Sequence, residues 1–409
     1  MNSNYRGDFR PNRRRSTIQE TGKKKKKKKL PAWKVLVTVF IIILSMSVVT
    51  VALGNMFGVL SLKDLLIKGG AAFEPKPEEH GGVIDPDTGM PVLSGERKAK
   101  VFNFLVVGLN DDTGNNTDTI MLAQFNVGAR AVNIVQIPRD TYIHADYNFS
   151  KINSVFAANY NRADYGTSKE DRRKKGITAF TEFVETAYAC KIDYYVLVDL
   201  NAFQSFIDDI GGLKVNVPCK MDYEDPEQNL YIHLKAGEQV LSGYDAMCLV
   251  RNRHTYVDAD YGRMNVQKIF MSALLKQVKE NLTDLSTLQG IVKVAFNNVL
   301  TNLTLDNCIY FATQMLDVDM SGMSMVTMPN EIVGSRLSTL ELDAVDVVNR
   351  FLNVYETPVT PETFDIKNWL TNPGDKSLYT AYMTHRSEYE VYTADKVDSD
   401  SIHLNTFNN

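Results

Sequence analysis

The sequence predicts an α/β (α+β) sandwich, a central mixed sheet covered by helices, preceded by a single N-terminal transmembrane helix. Three observations carry that expectation. A basic arm runs into 19 residues without a charge, "VLVTVFIIILSMSVVTVAL" (35–53). Beyond a stretch rich in Pro and Gly, short apolar and aromatic runs alternate with segments whose apolar residues recur every three or four positions. Strands interleaved with amphipathic helices are the pattern of a sheet packed under helices.

The arm comes first. Residues 1–34 hold thirteen Lys and Arg against Asp8 and Glu20, a net +11 in a chain that is −4 overall, so residues 35–409 carry −15. Seven consecutive lysines (23–29) repel one another and stay solvated. Alone, such a tract reads as a solubilising tail or a nucleic-acid patch. The uncharged run that follows decides against both, and no nucleic-acid partner is expected. As a helix the run is about 28 Å long, close to the ~30 Å hydrocarbon core of a bilayer. Trp33 stands where an interfacial aromatic belongs, and the lysines keep the N-terminus in the cytoplasm by the positive-inside bias. They can also touch anionic headgroups. The run is longer than the apolar part of a signal peptide and no A-x-A site follows it, so an uncleaved single-pass anchor in the cell membrane is expected. The organisation is then a basic cytoplasmic arm (1–33), a transmembrane anchor (34–56), an extracellular stalk (57–97) containing Pro75, Pro77, Pro86 and Pro91, a folded extracellular domain (98–355) and a loosely held polar C-terminal extension (356–409).

Within the domain, "VFNFLVV" (101–107) predicts a buried strand ending at Gly108. Thr119–Phe125 and Ala131–Ile137 predict two more, joined near Gly128. Ile177, Phe180, Phe183, Val184 and Tyr188 share one helix face, and "IDYYVLV" (192–198) is the following strand. Phe203, Phe206, Ile207 and Ile210 mark a second helix, stopped by Gly211–Gly212, since glycine takes the left-handed C-terminal position at no steric cost. Ser242 with Asp245 has the pattern of a capping box opening a short helix. Asp260 is expected to cap another, with an apolar stripe of Val266, Ile269, Phe270, Leu274 and Val278. The four cysteines, at 190, 219, 248 and 308, form no C-x-x-C pair, so zinc and thioredoxin-like chemistry have no support, and buried free thiols are expected.

The chemistry-bearing residues gather in "LVRNRHTYVDADYGRMNVQ" (249–267). If the chain past Leu249 is extended, Arg251 and Arg253 point to one side. On the helix after Asp260, Arg263 and Gln267 share a face. Converging guanidinium forks suit a diphosphate. The plainer alternative is an exposed surface on which these arginines pair with Asp258 and Asp260. "IPRDT" (137–141) puts Arg139 and Asp140 just past a strand end, where α/β proteins bind ligands, or in a simple turn set by Pro138. Asp118 in "NNTDTI" is a candidate Mg2+ carboxylate or an Asx turn, and Lys151 is a further candidate cation. His254 reads as a surface or supporting residue. H-E-x-x-H, G-x-S-x-G and Walker A sequences are all missing.

Taken in order, the basic arm and anchor, "NFLVVGLN", "TDTIML", "IPRDTYI", "KIN", "IDYYVLVDLNAFQSFIDDIGGLKVNVP", "GEQVLSGYDAMCLVRNR" and "DADYGRMNVQ" resemble the LytR–CpsA–Psr family of cell-envelope glycopolymer transferases. The resemblance covers Val101 to Asn281 closely and extends loosely to about residue 355. It implies a Gram-positive envelope and transfer of a glycopolymer, teichoic acid or capsule-like, from a polyprenyl diphosphate carrier to peptidoglycan outside the membrane. It also implies that Arg139, Lys151, Arg251, Arg253, Arg263 and Gln267 bind the diphosphate. Asp118, Arg139 and Asp140 become the expected catalytic residues. An apolar channel for the polyprenyl chain is expected near Phe203, Phe206 and Ile207.

Two departures bear on the Mg2+ site. The family has G-x-D-x-R after its first strand, and here Asn110 stands where the first acid belongs. Asn116 stands where an arginine often precedes the S-D-T aspartate. Asp111 or Asp112 is expected to replace the missing carboxylate, making Asp118 and Asp111 the metal residues. The rival readings are a polyprenyl diphosphate hydrolase and a non-catalytic carrier-lipid-binding envelope regulator.

Overall fold

The computed structural model describes residues 75, 95–110, 115–143, 151–162, 168–281, 285–333, 336–361, 389–398, 401–402 and 404–407. The basic arm, the expected anchor, nearly all of the stalk, and Asp111 and Asp112 lie outside the described residues. Among those described, no helix is long and apolar enough to cross a membrane.

In chain order the elements are β1 (Val101–Asn110), β2 (Asn116–Asn126), β3 (Ala131–Ile137), α1 (Asn153–Tyr160), α2 (Lys169–Tyr188), β4 (Tyr194–Asp199), α3 (Leu200–Asp209), β5 (Leu213–Val217), β6 (Met221–Asp225), β7 (Leu230–Leu234), β8 (Gly237–Leu241), α4 (Gly243–Arg251), α5 (Asp260–Asn281), α6 (Leu285–Asn297), β9 (Leu300–Thr301), α7 (Leu305–Met315), β10 (Met323–Thr327), β11 (Asn330–Val333), β12 (Arg336–Thr339), α8 (Glu341–Phe351) and β13 (Val391–Thr393). Among the described residues the main sheet has seven strands, in the order β13-β10-β3-β2-β1-β4-β9. It is mixed: β1 pairs with β4, and β3 with β10, in parallel, while β1, β2 and β3 form an antiparallel meander. The edge strand β13 comes from the segment read as a polar extension.

Both sheet faces are covered, which is why "VFNFLVV" is apolar without a break. Alternate residues of β1 and β2 go to opposite sides. Val101, Leu105, Ile120 and Leu122 pack with Phe156, Phe180 and Val348 of α1, α2 and α8. Phe102, Met121 and Phe125 pack with Met247, Ile269, Phe270 and Phe311 of α4, α5 and α7. The hairpins β5–β8 and β6–β7 extend this second face.

The helix ends follow local chemistry. The Asp199 carboxylate accepts from the Ala202 amide at the start of α3, and that helix stops before Gly211 and Gly212, at φ +87° and +88°. Ser242 caps α4 by accepting from the Asp245 amide. Gly243 follows at a close approach, where an added Cβ would run into the Gln204 backbone of α3. Gly243→Ala is therefore expected to force α3 and α4 apart and to cost about 1–3 kcal/mol. Chemical denaturation checks this, and an unchanged midpoint would contradict so close a packing.

Three sequence expectations need correction. The first strand does not end at Gly108 but passes through it to Asn110, and β2 begins at Asn116 rather than Thr119. Arg251 is not on an extended segment: it is the last residue of α4, and the backbone becomes extended only at Asn252. Asp260 lies inside the first turn of α5, after Ala259 at φ +45°, and is not shown capping it. The four cysteines are free, with Cys190 and Cys248 buried as expected and the other two half-buried.

Candidate active site

The site begins at a bulge. In the β1–β2 ladder Gly108 faces Thr119 and Leu109 faces Thr117, so Asp118 has no partner across the ladder. Gly108 permits the close approach, since a Cβ there would stand 3.0 Å from the Thr119 Cβ. Asp118 Oδ1 accepts from Arg139 Nη1 at 2.7 Å, and its Oδ2 accepts from Asn110 Nδ2 at 2.9 Å. Burial raises the carboxyl pKa, but Arg139, the Asn110 amide and Arg263 outweigh it and hold Asp118 below the ordinary 3.8. A carboxyl whose folded pKa is depressed contributes stability above its unfolded pKa and loses it as pH falls through the folded value. Asp118→Asn is expected to lose less melting temperature than the parent between about pH 4 and pH 2. Parallel acid limbs for the two proteins would contradict the pairing.

Arg139 follows β3 in a turn closed by Thr141, whose amide and hydroxyl both donate to the Pro138 carbonyl, at 3.0 and 2.6 Å. Besides Asp118, its Nε stands 3.3 Å from Asp260 Oδ1, and Arg263 Nη2 stands 2.9 Å from the same oxygen. Asp260 thus ties together two arginines from different elements. Arg139 Nε, Arg263 Nε and both Asp260 oxygens are buried without a hydrogen-bond partner among the described residues. Burial and the nearby Arg139 pull the Arg263 pKa below its ordinary value despite Asp260. Burial also acts against Arg139, but Asp260 and Asp118 carry it above its ordinary value. Such donors invite acceptor oxygens from a ligand.

Two cavities meet here. One, of about 370 Å³, is polar and lined by Asp140, Lys151, Arg253 and Tyr223 among others. The other, of about 160 Å³, is apolar and lined by Leu109, Met121, Phe203, Met247 and Phe270. Asn110, Asp118, Arg251 and Arg263 line both. Every sequence-predicted binding residue reaches this junction or its walls. Arg251 donates to Gln228 Oε1 at 3.3 Å, and the exposed Arg253 has no ion-pair partner among the described residues. Lys151 pairs with Asp140 at 2.9 Å. Gln267 donates to Thr119 Oγ1 and to the Val250 carbonyl, both at 3.2 Å, on the apolar side. Of the three residues expected along a channel, Phe203 lines the apolar cavity, Ile207 is fully buried core, and Phe206 packs against that core without lining the cavity.

Several members of the site were not singled out from sequence. Asp260 enters the sequence reading as a helix cap and, in the surface alternative, as a partner of the arginines; it does pair with Arg263, but buried and not at an exposed surface. Gln228 and Tyr223 arrive from the β6–β7 hairpin, where Tyr223 stacks on His254 with ring centroids 3.9 Å apart. Burial and Arg253 lower the His254 pKa.

The described residues contain no group of three or more His, Cys, Asp or Glu able to hold a metal. They do offer Asp118 and the Asn110 Oδ1, which is buried and lacks a partner. One carboxylate and one amide oxygen fit a Mg2+ ion that takes its remaining ligands from substrate phosphates and water. Such a pair carries one negative charge fewer than two carboxylates.

The site thus joins an apolar cavity to clustered arginines within an α/β sandwich. The chain belongs to the LytR_cpsA_psr family, whose profile matches residues 75–350. It is 28% identical over 235 residues to the cell wall biosynthesis protein LcpA of Corynebacterium glutamicum, a match covering 54% of this chain and 44% of that protein. It is 26% identical over 217 residues to TagV of Bacillus subtilis, a polyisoprenyl-teichoic acid–peptidoglycan teichoic acid transferase, covering 51% of each. The chain spans about half the length of these curated relatives. The fold is that of protein gbs0355 from Streptococcus agalactiae, with a TM-score of 0.53 at 16% identity over 70% of this chain and 97% of that one.

Proposed function

We propose that this protein is a membrane-anchored phosphotransferase, facing outward from a Gram-positive cell membrane, that moves a glycopolymer from a polyprenyl diphosphate carrier to peptidoglycan. The single observation that carries this reading is the shared wall of the two cavities: an isoprenoid fits the apolar side, and a diphosphate fits the arginines at the junction. In the reaction an acceptor sugar hydroxyl attacks the phosphorus that bears the glycopolymer. A new P–O bond forms, the bond to the bridging oxygen breaks, and polyprenyl phosphate leaves. The product is a phosphodiester.

Arg139, Arg251 and Arg263 are set to stabilise charge gathering on the leaving phosphate, in a site arranged before reaction. Asp118 and Asn110 would hold a Mg2+ ion, which would supply further neutralisation of the diphosphate. Asp118, kept ionised by Arg139, is the carboxylate at the junction able to take the hydroxyl proton. Because phosphoryl transfer is loose, a weakly basic carboxylate suffices. Lys151 neutralises Asp140 and positions it at the polar wall.

The test is release of polyprenyl phosphate with and without peptidoglycan acceptor. Release that rises with acceptor supports transfer. Equal release in water alone identifies a hydrolase, and binding without release identifies a carrier-lipid binder.

A further inference from the structure

Helices α4 and α5 both bring arginines to the junction, and the loop between them is held from outside by the far end of the chain. Asn252, Arg253 and His254 of that loop line the polar cavity. Two residues after His254, Tyr256 forms an antiparallel bridge with Thr406. The Val257 amide donates to the Asn405 carbonyl at 2.8 Å, and the Phe407 amide donates to the Thr255 carbonyl at 3.2 Å. Tyr256 and Thr406 are buried, whereas Val257 and Phe407 are exposed. Phe407 therefore brings its backbone to the contact and little of its side chain.

This contact is continuous with the site. The Thr255 hydroxyl accepts from the side-chain amide of Asn252 at 2.7 Å, and the side-chain oxygen of Asn252 accepts from the His254 amide at 3.2 Å. Asn252 is itself buried. Fixing Thr255 thus fixes the turn that presents Arg253 and His254. On the other side, Tyr256 packs so closely on α5 that a Cβ added to Gly262 would stand 2.4 Å from its side chain. Gly262 directly precedes Arg263. Between loop and helix, Ala259 has φ +45°. A left-handed backbone is costly for an L residue and persists only where its neighbours over-determine it.

The outer segment is anchored in its turn. β13 pairs with β10, the Ala394 amide donates to the Met323 carbonyl, and the Ala394 carbonyl accepts from Ser272 Oγ of α5. Val397 and Ile402 are buried in the second core. The family profile ends at residue 350, so this segment lies outside the matched region.

We infer that residues 404–407 are a positioning strap, which holds the α4–α5 loop in the arrangement that presents Arg253 to the diphosphate. The inference rests on the proposed binding of a diphosphate at the junction. Residues 404–407 line neither cavity there, so the strap acts through Thr255 and Tyr256. When the binding-competent arrangement is only partly populated, affinity falls by that fraction.

The experiment compares Phe407→Pro, which removes the amide that donates to Thr255, with Phe407→Ala, which keeps it. Three readouts are taken: isothermal titration with geranylgeranyl diphosphate, the melting temperature, and the NMR signals of the His254 ring, which stacks on Tyr223. Phe407→Pro is expected to weaken affinity about fivefold. It should also move the His254 signals toward those of a free histidine and leave the melting temperature nearly unchanged. Phe407→Ala is expected to match the parent in all three. Deletion of residues 404–409 is expected to weaken affinity about tenfold and serves if Phe407→Pro does not fold. Parent-like affinity in both Phe407→Pro and the deletion overturns the strap. An equal loss in Phe407→Ala assigns the effect to the side chain and also overturns it. So does a lower melting temperature with parent-like affinity and His254 signals, which assigns the segment to stability alone. A parent that does not bind geranylgeranyl diphosphate removes the diphosphate reading beneath, and the His254 signals then report separately whether the segment orders the loop.

Discussion

Arg251→Ala is expected to weaken binding of a polyprenyl diphosphate by about 10- to 100-fold without lowering the melting temperature, while Arg263→Ala lowers both. The two arginines line the same junction but differ in what they hold up. Arg251 closes α4, is half-buried, and contacts Gln228 and Met247 only weakly, at 3.3 and 3.8 Å. Its removal deletes a charged hydrogen-bond donor to the ligand, about 1.5–3 kcal/mol, and little else. Arg263 is 3% exposed and pairs with Asp260. Its removal leaves that carboxylate to Arg139 alone, so a stability loss near the lower end of the ~3–5 kcal/mol for a broken buried pair is expected. Isothermal titration and thermal melts on both variants decide this. Parent-like binding by Arg251→Ala would return that residue to the exposed surface.

Asn110→Asp is expected to be less stable than the parent in EDTA and to gain more melting temperature from Mg2+. In the parent the Asn110 amide donates to Asp118 Oδ2. An aspartate would set oxygen against oxygen at about that separation, removing a hydrogen bond to a charged group (~1.5–3 kcal/mol) and raising one carboxyl pKa. A hard divalent ion reverses the conflict, because it takes two carboxylates readily. Binding of the folded state alone returns about 2.7 kcal/mol at a concentration 100-fold above Kd. Equal Mg2+-dependent shifts in parent and variant would place the second carboxylate elsewhere, with Asp111 and Asp112 nearest in sequence.

The parts of the fold legible in the sequence are those set by local pattern. β1, β2 and β3 are largely apolar because helices cover both faces, α2 and α3 announce their apolar faces, and α3 announces its end at Gly211–Gly212. The bulge at Asp118 is not legible, since it depends on which residues face each other across the ladder and not on either strand alone. Arg251 and Arg253 do line one cavity, but by a helix end followed by extended backbone and not by strand alternation. The charge pattern marks both residues, whereas their placement on one side comes from a helix end that strand periodicity does not describe. Asp260 is legible in part: its pairing with Arg263 follows from helix spacing, whereas its contact with Arg139 joins segments far apart in the chain. Gln228, Tyr223 and the C-terminal strap depend on contacts between segments far apart in the chain, which a single sequence does not record.

The most direct test of the account is a crystal structure of the protein with geranylgeranyl diphosphate. The account predicts diphosphate oxygens within hydrogen-bond reach of Arg251 and Arg263, with the first isoprene units between Phe203 and Phe270. A diphosphate bound away from those arginines, or an isoprenoid lying outside the apolar cavity, would contradict it.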